Sequence, residues 1–145
     1  MSFSKTYALD AAPGLVKREP GQAALTSTAY VGSQHDQLSA TATDCVLVVN
    51  VESVDKTTGD ETYKLRVVGS NVANRSDGEV LACIEFGDAS ALSTPETRDS
   101  AVGDRFIMPF RTEKNRTWFR YVDLHLTVAG TTPSAAFNAY ISKEL

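Results

Sequence analysis

Sulfur, imidazole and indole are scarce in this chain: two cysteines, two histidines and one tryptophan among 145 residues. No Cys/His set has the spacing of a metal site. Basic charge is not in excess either. Fourteen Lys and Arg stand against eighteen Asp and Glu, a net charge of −4, which argues against a protein that works by neutralising many phosphates. Hydrophobic runs are short, and none reaches the roughly 18 residues of a membrane-spanning helix. The opening "MSFSKTYALDAAPG" lacks the basic-then-apolar plan of a secretory signal. Also missing are a Gly-x-Ser-x-Gly elbow and a phosphate-cradling glycine loop. The expectation is a chain that stays where it is made, with no cofactor, no metal, no nucleic acid and no membrane as partner. The sequons at Asn74 and Asn115 then read as loop residues. Cys45 and Cys83 each fall within an apolar run and read as small buried hydrophobes, with a disulfide between them as the alternative.

What the chain does have is 42% hydrophobic residues, enough for one compact domain. Residues 1–43 are rich in Ala, Ser, Thr, Gly and Gln and follow no sustained period, so they read as an extended N-terminal arm with one short strand near 27–31. From residue 44 to 145 the texture is that of β-structure. "CVLVVNVESV" at 45–54 puts Cys45, Leu47, Val49 and Val51 on one face, and 62–70 alternates Tyr63, Leu65 and Val67 with Lys64 and Arg66. The turn-rich "DKTTGDE" between them predicts a long hairpin.

Further strands are expected at 80–86, 105–111, 117–128 and 135–142. Pro109 cannot donate to a ladder and sends 105–111 to an edge. The polar stretch 88–104 is read as turns, with Ser93, Pro95 and Glu96 suited to cap one helical turn. About seven strands and almost no helix predict an all-β antiparallel β-sandwich or jelly roll, the alternative being a small closed barrel.

The candidates for chemistry are few. Asp123 and His125 share the outer face of one strand, about 6 to 7 Å apart along it, a pair able to orient an imidazole or begin a metal site but isolated from other such groups. Asp55, Asp60 and Glu61 around Gly59 match no calcium loop and read as solvated turn carboxylates. Arg105, Arg111, Lys114, Arg116 and Arg120 are interleaved with Trp118 and Phe119. Stacking on single-stranded nucleic acid is one use of such a set; a protein contact, where Arg, Trp and Tyr are enriched, suits an acidic chain better. Phe119, Tyr121, Asp123, His125 and Thr127 are expected on the outer face of the last long strand. The residues assigned to partner contact are Arg111, Arg116, Trp118 and Tyr121, together with the arm. No enzyme is expected. Trp118, Tyr121 and Tyr140 in a β context raise a carbohydrate-binding jelly roll as a lesser alternative.

"RYVDLHLTVAGTTPSAAFNAYI" at 120–141, together with "YKLRVVGSN", "GDRFIMPF" and the opening "MSFSKTYALDAA", resembles the tailed-phage capsid cement (decoration) proteins of jelly-roll type. The turn "DKTTGDE" and the connection 88–104 depart from that pattern. The resemblance implies a non-enzymatic virion protein, assembled in the host cytoplasm, that binds the outer surface of the assembled capsid and stabilises the major capsid protein lattice. It also implies self-association as a homodimer or homotrimer. Another head–tail or tail structural protein is the alternative it leaves open.

Overall fold

The computed structural model describes residues 12–143. These form nine strands and no helix: β1 (Val16–Arg18), β2 (Ala29–Thr41), β3 (Asp44–Val54), β4 (Thr62–Ser70), β5 (Glu79–Gly87), β6 (Arg105–Arg111), β7 (Glu113–Lys114), β8 (Thr117–Ala129) and β9 (Ala135–Lys143). Two antiparallel sheets pack face to face as a β-sandwich. One has the order β1-β9-β3-β6; the other has the order β2-β8-β4-β5, with β7 paired to the start of β8. As Pro109 requires, β6 is an edge strand.

Alternation decides which side chains point inward. Leu47, Val49 and Val51 of β3 and Phe137, Ala139 and Ile141 of β9 face Tyr63, Leu65, Val67, Val122, Leu124 and Leu126 of the other sheet, and all are at most 3% exposed. Each fully buried Leu, Val or Phe contributes roughly 1.5–3 kcal/mol relative to exposure. Phe86 is the aromatic centre, stacked on Tyr63 at 5.3 Å and Phe106 at 5.7 Å and edge-on to Phe137 at 6.2 Å.

The expected hairpin between 45–54 and 62–70 does not form, because β3 and β4 belong to opposite sheets. The same is true of 120–141, where β8 and β9 face each other across the core. Alternation sets which face is apolar, but two apolar faces can meet by packing as well as by lying side by side. "DKTTGDE" is therefore a sheet-to-sheet crossing, and its carboxylates are structural. Glu61 is fully buried and accepts the N–H groups of Thr58 (3.0 Å), Gly59 (3.1 Å) and Asp60 (3.2 Å) as well as the Thr58 hydroxyl. The Thr58 bond is foremost in holding its carboxyl below the ordinary Glu range. It is not the solvated turn residue the sequence suggested. Asp60 in turn accepts the Thr131 N–H (3.0 Å) and hydroxyl (2.9 Å), tying this crossing to the β8–β9 one. Gly130 permits that approach: at φ +102°, a Cβ there would lie 2.5 Å from the Asp60 carbonyl oxygen. Tyr63 completes the clamp, its hydroxyl donating to Asp55 O (2.9 Å) and accepting from Ser134 N–H (2.9 Å).

The 88–104 connection takes no helical turn. Ser93 N–H donates to Glu85 Oε1 and Glu96 N–H to Ala89 O, while Asp88, Asp99 and Asp104 accept nearby backbone N–H groups. With its donors satisfied across the loop, the segment needs no local helical bonds.

Residues 12–43 are not an arm lying along a finished sandwich. They contain β1 and the thirteen-residue β2, which form one edge of each sheet; residues 1–11 of the expected arm lie outside the described residues. The short strand expected near 27–31 is the start of β2; the rest of β2 shows no period of 2 because its register with β8 shifts twice, between Val31 and His35 and between Asp36 and Thr41, and each irregularity breaks the alternation. Between these two edges lies Lys17, only 3% exposed, its ammonium donating to Ser33 O (2.7 Å) and Val122 O (3.0 Å). Burial pulls its pKa down to about 8 from 10.5, against the opposing pull of Asp123.

Two outcomes are expected from this core. Leu124→Ala should cost about 2–5 kcal/mol in urea denaturation, whereas Val102→Ala at a 70% exposed position should stay within about 0.5 kcal/mol of wild type. Because the Lys17 pKa is depressed on folding, the unfolded chain binds more protons between pH 8 and 10.5, so stability attributable to Lys17 rises with pH across that window. Wild type should therefore gain on Lys17→Met by up to about 3 kcal/mol from pH 7.5 to 10.5; parallel stability–pH curves would contradict the assignment.

Candidate partner-contact surface

At the end of the sandwich opposite the clamped crossings, the chain leaves β6 and enters a tight hairpin. Thr112 anchors it: fully buried, it donates its N–H to Thr43 O (3.0 Å) and accepts Thr43 N–H on its hydroxyl (2.8 Å). Glu113 and Lys114 then pair with Trp118 and Thr117, leaving Asn115 (φ 52°) and Arg116 (φ 67°) as the two turn residues. With both values positive this is a type I′ turn, the two-residue type in which Asn-Gly is the favoured pair. Here an arginine occupies the glycine position, at a steric cost of about 1–2 kcal/mol. The Arg116 N–H is received by Glu113 Oε1 at 2.8 Å.

This hairpin brings three of the four expected contact residues to one end of the molecule. Arg116 is at the tip, Trp118 is 55% exposed at the start of β8, and Arg111 ends β6 with a side chain 57% exposed and 3.8 Å from Asp44. Lys114 leans back to Val80 O (3.1 Å) and Glu79 (3.4 Å). A cleft of about 180 Å³ lined by Asp77, Glu79, Lys114 and Thr117 borders the hairpin. Arg105 is separated from this group, pairing with Asn50 at the far end of β6.

The fourth residue, Tyr121, faces out from the second sheet. The Arg120 guanidinium lies 5.0 Å from its ring centre and binds Asp36 through two bonds of 2.8 and 2.9 Å. That bond, with the Leu38 N–H behind it, holds Asp36 down to about 2. Phe119, expected outward, is inward and 2% exposed, its ring so close to Gly69 that a Cβ there would lie 2.9 Å from it.

Asp123 and His125 do share the outer face, yet they act apart. Asp123 is 2% exposed and accepts from Arg75 Nη2 (2.9 Å) and Gln34 Nε2 (2.7 Å), so the carboxylate that would orient an imidazole is committed elsewhere. Arg75 also covers the Tyr30 ring at 4.1 Å, closing the β4–β5 loop over the sheet. His125 packs edge-on against Tyr30 at 4.8 Å, and burial, then Arg66, keeps its pKa below the ordinary value. Arg75 was missed because only its distance in sequence from Asp123, not its type, hides the pairing. No group of three or more His, Cys, Asp or Glu able to hold a metal ion occurs among the described residues.

The two thiols occupy different sheets, Cys45 buried in the first and Cys83 exposed on the outer face of the second opposite Arg66, so no disulfide joins them and Cys83 is not the buried hydrophobe expected. Trp118 and Tyr121 are both on β8 of the second sheet, whereas Tyr140 is on β9 of the first, so the three do not share one face.

Asp36 stabilises the fold while ionised, and that stabilisation is present above about pH 4 and lost as pH falls toward 2. The urea midpoints of wild type and Asp36→Asn should therefore converge on acidification from pH 6 to 2.5; a constant gap would show that Arg120 does not hold the carboxylate. In comparisons with known proteins, no family model matches this chain and no curated protein matches it.

Proposed function

We propose that this chain is a structural virion protein that binds the outer surface of an assembled phage capsid and stabilises the major-capsid lattice, as a cement or decoration protein. The observation that carries the proposal is the β7–β8 hairpin. A half-exposed Trp118 follows Arg116, held at positive φ where glycine is usual, with Arg111 at the same end of the molecule. Strain of this kind persists where the surrounding structure enforces it, and it clusters at binding sites. Exposed Trp and Arg on a rigid support are the residue types that dominate protein–protein contacts.

The strand order lends support. Facing sheets of order β1-β9-β3-β6 and β2-β8-β4-β5 are compatible with the two-Greek-key jelly roll that the carboxy-terminal resemblance implies. A cement protein needs a stiff scaffold and modest contacts repeated over a symmetric shell, where avidity exceeds any single interface. Preference for the assembled lattice over free subunits then stabilises the shell by mass action.

The test is addition of the purified chain to mature capsids whose major subunit is encoded in the same genome. Saturable co-sedimentation and a raised temperature of capsid disruption are expected. Trp118→Ala should weaken binding at least tenfold, about 1.4 kcal/mol, without changing the chain's own unfolding midpoint by more than a degree or two. Failure to bind those capsids, or assembly of the chain alone into tubes or rings, would overturn the proposal in favour of another head–tail or tail role.

A further inference from the structure

The flank of the sandwich where the edges β1 and β2 come together holds a cleft of about 150 Å³, lined by Lys17, Arg18, Gln22, Ser27, Tyr30 and Leu126 among others. Two of these residues are cations buried to an unusual degree, Lys17 at 3% and Arg18 at 5% exposure. Lysine and arginine are almost never buried so fully unless paired. Lys17 gives two N–H bonds to carbonyl oxygens and keeps a third donor. Arg18 lies 5.4 Å from the Phe137 ring centre and donates Nη2 to Ala23 O, but its Nη1 is buried without an acceptor among the described residues.

Nearby acids do not balance this charge. Asp123 is bound by Arg75 and Gln34 on the outer face of the second sheet. Glu52 attracts Arg18 electrostatically, yet Oε1 takes the Gly21 N–H and its buried Oε2 has no partner among the described residues. Lys17, Arg18 and Arg75 against Asp123 and Glu52 leave one positive charge over. His35, on the far side of Lys17, is held below its ordinary pKa by burial and adds no fixed charge. A buried cation with a free donor is costly unless an anion meets it. Gln22, Ser27 and Tyr30 are exposed at the mouth, so an anion has a way in.

We propose that this cleft is a binding site for a single carboxylate group, received by Arg18 Nη1 and the remaining Lys17 donor. A monovalent anion cancels the surplus charge, where a phosphate dianion would reverse it. Gln22 and Ser27 supply neutral polar groups at the rim. The site is on β1 and the segment leading into β2, and it meets β8 at Leu126, eight residues and roughly 26 Å along that strand from Trp118. It is therefore separate from the hairpin surface and independent of the capsid reading. The carboxylate can belong to a free small acid or to the acidic side chain of another protein.

The test uses the full chain with sodium acetate, compared with sodium chloride at equal ionic strength, and with a capped Gly-Glu-Gly peptide. Acetate is expected to raise the unfolding midpoint saturably by about 2–4 °C and to move the backbone amide signals of Ser27, Ala29 and Gly32. Arg18→Gln should abolish both effects. Should that variant fold poorly, Ser27→Phe closes the mouth from an exposed position and should abolish them equally, while Arg98→Gln in the 88–104 connection should keep them. A response to the peptide as well as to acetate assigns an acidic side chain as an accepted source; a response to acetate alone restricts the cleft to small acids. The proposal is overturned if acetate does no more than chloride, if its effect survives both Arg18→Gln and Ser27→Phe, or if Arg98→Gln loses it too.

Discussion

Two apolar rows, one from each sheet, face each other across a gap of about 10 Å, and every connection in the chain answers to that facing. Because successive strands mostly alternate between sheets, the chain must cross the end of the sandwich repeatedly. A crossing exposes backbone donors that no ladder satisfies. At one end they are met by carboxylates and a single phenol: Glu61 binds its own turn, Asp60 reaches the β8–β9 crossing, and the Tyr63 hydroxyl joins both. The acidic residues clustered there are thus consumed in closing the fold.

The opposite end is built differently. Thr112 pins the exit of β6, and the turn that follows is so tight that Arg116 is forced to positive φ. Trp118 and Arg111 stay exposed there, alongside Asp44 and Glu79. One end of the molecule is fastened by side-chain hydrogen bonds and the other by a short hairpin, a division that follows from where long crossings and short hairpins fall along the chain.

The flank carries a different tension. Sheet edges invite unwanted pairing, and here they are a three-residue β1 and a twice-shifted β2, both poor templates for another strand. Closing that flank draws the side chains of Lys17 and Arg18 inward, with Gly32 φ-positive and so close to the Lys17 carbonyl that a Cβ would collide with it. Buried charge is the consequence of short, irregular edges, and it is concentrated where the sandwich is least regular.

Strand positions and inward faces from residue 44 onward were legible in the sequence because alternation with period 2 is a local property of the side chains. Leu47, Leu65, Phe106, Leu124 and Phe137 all point where that pattern put them. The aromatic and basic set around the hairpin was legible by residue type alone. Three things were decided only by tertiary structure. Strand partnership was one, since an apolar face does not record whether it meets its mate beside it or across the core. The inward turn of Phe119 and the extent of β2 beyond residue 31 were another; in β2 a bulge erases the very alternation by which strands are found. The pairing of Asp123 with Arg75 and the burial of Lys17 and Arg18 were the third, because a charge reveals its environment only once residues distant in sequence have been folded against it.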